Sequence, residues 1–125
     1  MVDITPTIPK SRQLITGYGN GGFKINQQFT QGSLLVFPNE TLSWNVSFER
    51  DLTPADFEQV LQRSAEIEIL LIGTGKTMRP ISPEIKSMLK AKKIAVDVMD
   101  SGAACRTYNV LMSEERKVAA AVIAV

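Results

Sequence analysis

Histidine is absent from this chain, and cysteine occurs once, at Cys105. A disulfide within the chain is therefore impossible. A Cys/His zinc site fails on ligand count, and neither a Ser-His-Asp nor a Cys-His catalytic centre can be assembled within one chain. Long apolar runs are missing too. The longest, VAAAVIAV at 118–125, is far short of the roughly 20 residues that a spanning helix needs, and the helical segments leave too little chain for a transmembrane barrel. The opening MVDITPTIPK carries Asp3 and two prolines and no following apolar stretch, so no export signal is read. Charge of one sign is also lacking. Fourteen Lys and Arg face thirteen Asp and Glu, for a net charge of +1, without the clustered basic face that nucleic acid requires. The densest basic patch, Lys90, Lys92 and Lys93, falls at a helix C-terminus, where cations suit the helix dipole. The expectation is a cytoplasmic protein that binds no nucleic acid and does not itself insert into a membrane.

What is present suits one compact domain: 125 residues, 44% of them hydrophobic. Residues 1–11 read as a flexible leader broken by Pro6 and Pro9. LITGYGNGGFKI follows, two extended pieces around a glycine cluster in which Asn20-Gly21 signals a hairpin turn. SLLVF (33–37) is a compact apolar strand ended by Pro38. TLSWNV (41–46) alternates Leu42, Trp44 and Val46 with polar residues, a half-buried strand. From Leu52 the pattern changes. Thr53-Pro54 and Ser82-Pro83 each place a capping residue before a proline at the first helical position. Phe57, Val60 and Leu61 follow the first at helical spacing; Ile85, Met88 and Leu89 follow the second. Between these helices EIEILLI (66–72) reads as a strand buried on both faces in its second half. IAVDVM (94–99) is the next strand. Ser101 can cap a third helix with Ala104, Tyr108, Leu111 and Met112 on one face, and KVAAAVIAV (117–125) is a final, central strand. The second half is thus β-α-β-α-β, joined to an antiparallel N-terminal section.

Gly75-Lys76-Thr77 imitates the end of a nucleotide P-loop, G-x-x-x-x-G-K-[ST]. The first glycine of that motif would stand at position 70, which is Leu70, inside a strand. The following helix also starts too late, at Ser82-Pro83, so a P-loop is excluded. Open α/β sheets nevertheless bind ligands beyond the carboxyl ends of their strands. Two loops leave such ends, GTGKTMRP and DSGAACRT. If their strands are neighbours, they share one rim. The candidate ligand residues on it are Gly73, Thr74, Gly75, Lys76, Arg79, Asp100, Ser101, Gly102, Cys105 and Arg106, accompanied by Thr77 and Thr107. Free amides at Ser101-Gly102 could hold an anion. Against this, Asp100 and Ser101 could serve only as caps, with Arg79 or Arg106 paired to Asp100. Cys105 stands either as a packed small residue or as a thiol activated by nearby cations. Tyr18 and Phe23 in the hairpin are either an exposed partner surface or a cover for the sheet edge.

Several blocks, GYGNGGF, SLLVFP, LLIGTG, DVMDSGAACRTYNVL and RKVAAAVIAV, resemble the small α/β domain family that includes the mitochondrial NADH dehydrogenase (complex I) assembly factor 3 and the adipogenesis-associated domain protein. The resemblance runs from about Leu14 to Val125, is most specific at Met99–Asn109, and is to the bacterial branch, which lacks a mitochondrial leader. It implies a three-layer α/β fold with a mixed central sheet, one strand antiparallel, and additional β structure. For the mitochondrial members it implies a role in assembling a membrane-bound respiratory complex, and it supplies no catalytic residue to carry over. Two functional readings follow. One is a non-catalytic assembly-type protein without cofactor or metal, whose partners are proteins such as respiratory-complex or membrane-protein assembly components, through which it would associate with a membrane. The other is a small-ligand or anion-binding protein, or an enzyme, using the rim from Gly73 to Arg79 and Asp100 to Arg106. A weaker third reading is a thiol-dependent protein built on Cys105.

Overall fold

The structure, a computed structural model, describes residues 12–125. The expected flexible leader, 1–11, lies outside the described residues. Along the chain run β1 (Ile15–Gly19), β2 (Gly22–Ile25), β3 (Gln28–Gln31), β4 (Leu34–Phe37) and β5 (Glu40–Ser43). A 3-10 turn at Pro54–Phe57 leads into α1 (Glu58–Gln62), then β6 (Ile69–Gly73), α2 (Pro83–Ala91), β7 (Ala95–Met99), α3 (Ser101–Ser113) and β8 (Val118–Val122).

Five strands form one mixed sheet in the order β5-β4-β8-β6-β7. β8, β6 and β7 are parallel, while β4 runs antiparallel to both β8 and β5. The apolar runs are buried on both faces with period two, as strands covered on both sides must be. Leu35, Phe37, Leu70, Ile72, Ala119 and Ala121 enter one core with Phe57, Val60, Ile85 and Leu89 of α1 and α2. Leu34, Val36, Leu71, Ala120 and Val122 enter a second core with Ala104, Cys105, Tyr108 and Met112 of α3. The chain moves outward from β6 to β7, then back past β6 to β8. Crossovers of a single hand must then place α2 and α3 on opposite faces, which is where they lie. The three-layer α/β architecture with a mixed sheet is therefore observed.

The N-terminal section is a separate antiparallel sheet, β1-β2-β3. Asn20 and Gly21 both have positive φ (54° and 81°), as a tight type I′ turn demands. Ile15, Phe23 and Ile25 pack into the α3 core. Asn109 of α3 ties the sheet down, accepting from the Ile15 N–H at 2.9 Å and donating to the Ile15 carbonyl at 2.7 Å. The Tyr108 hydroxyl donates to the Gln13 carbonyl at 2.8 Å.

Several boundaries differ from the sequence expectation: Thr53-Pro54 opens a 3-10 turn with α1 starting only at Glu58, and the final strand ends at Val122. β3 lies in QFTQ, which carries no strand pattern. The strand expected over 41–46 ends at Ser43, although Trp44 remains buried and donates its indole N–H to the Asp56 carbonyl at 2.8 Å. Residues 64–66 form a 3-10 turn, so β6 begins at Ile69 rather than Glu66. The cap of α3 is Asp100, which accepts from Ala103 N–H at 2.9 Å; Ser101 is already the first helical residue.

Candidate functional site

β6 and β7 are hydrogen-bonded neighbours, so the two loops that leave their carboxyl ends do share one rim. Its base is closed. The Ser101 hydroxyl, fully buried, donates to the Ile123 carbonyl at 2.7 Å and accepts from the Gly75 N–H at 2.9 Å. The Ser101 N–H in turn donates to the Gly75 carbonyl at 2.8 Å. Thr74, also buried, accepts from the Arg79 N–H at 2.9 Å and donates to the Thr77 carbonyl at 2.9 Å, which folds the loop onto itself. Among the described residues no buried side-chain polar atom is left unpaired. The Thr74 and Ser101 hydroxyls and the Ser101 amide, which could have gripped an anion here, are committed to backbone partners, as buried polar groups must be.

Glycines permit this closeness. A Cβ on Gly73 would sit 2.7 Å from the Ser101 Cα, so β6 meets the start of α3 through bare backbone. Gly75 adopts φ +106°, and a Cβ there would meet the Phe48 ring at 2.6 Å. The glycines in LIGTG thus serve turn geometry and close approach, and α2 starts only at Pro83.

Cys105 is buried, and loss of solvation pushes its thiol up to about 12, outweighing the opposing pull of Arg106. That is the reverse of an activated thiol. The pairing of Arg79 or Arg106 with Asp100, offered as part of the capping alternative, is absent. The Arg79 guanidinium lies over the Phe48 ring, 4.3 Å from its centroid, and Arg106 donates to the Tyr18 hydroxyl at 2.6 Å. Tyr18 is about half exposed, as expected of a surface aromatic, whereas Phe23 is fully buried and belongs to no exposed surface. Burial of Phe23 follows from its place in β2, where it and Ile25 flank the outward Lys24. Phe48 had no signal in the sequence, since it reaches Gly75 from a loop far back along the chain.

A cleft of about 390 Å³ opens on the α2 side of the rim, lined by Asp51, Leu52, Thr74, Arg79, Ile81 and Ile123 among others. Of the ten candidate ligand residues, only Thr74 and Arg79 line it. Among the described residues there is no cluster of acids and cysteine able to hold a metal, and no helix is long and apolar enough to cross a membrane.

Residues 15–123, which span both sheets and the whole rim, match the protein family described as "Protein of unknown function (DUF498/DUF598)". The chain belongs to this family. NADH dehydrogenase (ubiquinone) 1 alpha subcomplex assembly factor 3 of Xenopus tropicalis is 38% identical to it over 109 residues, which are 87% of this chain and 60% of that relative. The chain thus spans about 60% of the length of the assembly-factor relatives it matches. Two solved structures share the fold. An outer membrane protein from Bartonella henselae is 39% identical, with a TM-score of 0.85 over 92% of this chain and 97% of that one. A Bordetella pertussis protein described as a Mth938-like domain is 27% identical, with a TM-score of 0.83 over 98% and 92%. The family resemblance and the fold it implied are both upheld.

Proposed function

We propose that this chain is a non-catalytic accessory protein of the assembly-factor type, which works by binding other proteins, respiratory complex I or membrane-protein assembly components among them. It would act in the cytoplasm and reach a membrane through those partners. The observation that carries this reading is the 38% identity to an assembly factor across 87% of the chain. The closed base of the rim supports it: the Thr74 and Ser101 hydroxyls are spent on holding backbone together, and burial keeps the Cys105 thiol protonated. Affinity purification of the tagged chain from native membranes of its host, with quantitative mass spectrometry, tests the reading. Enrichment of complex I or membrane-insertion components over an unrelated tagged control is expected. Equal recovery with the control would remove the reading.

The cleft beside Thr74 and Arg79 supports a second reading, a small-ligand binder. Thermal-shift titration with carboxylates, phosphates and nucleotides addresses it. A ligand at a hundred times its dissociation constant stabilises by about 2.7 kcal/mol, and flat melting curves for all of them would end this reading.

A further inference from the structure

Outside its closed base, the rim carries two similar pairs of side chains. Phe48 packs where Gly75 has no side chain, and the Arg79 guanidinium lies over its ring. Tyr18 packs where Gly102 has none, and Arg106 is hydrogen-bonded to its hydroxyl. Gly75 and Ser101 are joined by two hydrogen bonds, so the two pairs flank one continuous stretch of backbone. Both aromatics are about half exposed, at 45% and 48%. Lys76 and Met78, on the loop between Gly75 and Arg79, are exposed as well.

The charge there is unbalanced. Among the described residues the ion pairs are Arg50–Asp56 and Arg63–Glu40; Lys76, Arg79 and Arg106 have none. Two acids lie near, Asp100, which accepts from the Ala103 N–H through one carboxylate oxygen, and Asp51 beside the cleft, and neither forms an ion pair with these three cations. Each arginine is held by an aromatic rather than by an acid, which leaves guanidinium N–H groups to offer to a carboxylate. Arginine, tyrosine, phenylalanine and methionine are also the residues enriched in protein interfaces.

We infer that the two arginine–aromatic pairs, Arg79 with Phe48 and Arg106 with Tyr18, form a docking surface for an acidic segment of a partner protein. The segment's carboxylates meet Arg79, Arg106 and Lys76, and its apolar side chains meet the exposed rings and Met78. This deepens the proposed function and rests on its broader half, that the chain works by binding protein.

A photo-reactive benzophenone residue placed at position 78 in the full chain, and for comparison at the exposed position 90 at the far end of α2, tests the surface in the native host. The cross-linked peptide is identified by mass spectrometry, synthesised, and titrated against the purified chain. The expected result is cross-linking at 78 well above that at 90, to a peptide with net negative charge. Its affinity should fall about tenfold for Arg79→Ala or Arg106→Ala, further for the double variant, and with rising salt. The melting temperature of the variants, both altered at surface side chains, should stay near that of the parent. Four results would overturn the inference: no cross-link, equal yield at position 90, a peptide without acidic residues, or affinity unchanged in the double variant. Protection of position 78 by citrate or phosphate in place of any peptide would also overturn it, in favour of a small-anion site. An acidic peptide from a protein outside respiratory assembly upholds the surface and removes the respiratory part of the proposed function. Recovery of respiratory components that the double variant leaves unchanged does the opposite.

Discussion

At the base of the rim, Thr74, Asp100 and Ser101 give their side-chain oxygens to backbone groups, and the two loops are welded together. On its outer layer, Lys76, Arg79 and Arg106 form no ion pair and lie beside rings that are half exposed. The same two loops supply both layers. The difference teaches that strand ends in an open α/β sheet need not form a binding crevice. Here glycines at 73 and 75 bring the two loops so close that the space between them is filled by hydrogen bonds, and the cleft that does open lies to one side, beside Thr74 and Arg79.

Breaking the base should have the largest effect. Ser101→Ala leaves the Gly75 N–H and the Ile123 carbonyl unpaired in a buried site, at about 1–3 kcal/mol for each group. Denaturant unfolding should show a loss at or above that of any other single change in the rim. Gly73→Ala comes next. Its new Cβ strikes the Ser101 backbone, and overpacking of this kind costs about 1–3 kcal/mol. Gly102→Ala sharpens the contrast, since the atoms its Cβ meets first are the ring and hydroxyl of Tyr18, a half-exposed side chain that can swing outward. Its stability should stay within about 1 kcal/mol of the parent, because alanine also favours the helix. Equal losses for Gly73→Ala and Gly102→Ala would erase the distinction between base and outer layer.

Cys105 belongs to the base. With its proton held to about 12, it should resist alkylation by iodoacetamide at pH 8 in the folded chain and react fully once unfolded. The smallest effect is expected away from the rim. Hydrogen bonds from Arg50 hold the Asp56 carboxyl below its ordinary value, against an opposing push from burial. A lowered folded value means that this stabilisation is complete above the unfolded carboxylate range and is lost as pH falls through the folded value. The Arg50→Ala chain should therefore show a slightly shallower fall of Tm below pH 4 than the parent.

Much of the frame was readable from the residues. The apolar run at 118–125 marked the central strand, Asn20-Gly21 the hairpin, and the two cap-proline pairs the helix starts. β3 was not readable, because its turn places Asn26 and Gln27 at positive φ without a glycine and its one large apolar residue, Phe29, is exposed. The rim was located from the order of its elements, yet its closure was not foreseeable. Ser101 looks like a cap in sequence, and only the approach of β8 turns its hydroxyl toward Ile123. The partners of Arg79 and Arg106 were equally hidden, since Phe48 and Tyr18 arrive from distant segments.

The most direct measurement compares partner retention by Ser101→Ala and by Arg79→Ala/Arg106→Ala in the same purification, each with its melting temperature. The expected result is a double dissociation. Ser101→Ala melts earlier but keeps its partner below its melting point, whereas the double arginine variant keeps its melting temperature and loses its partner. Partner binding that survives the arginine changes would contradict the assignment of function to the outer layer.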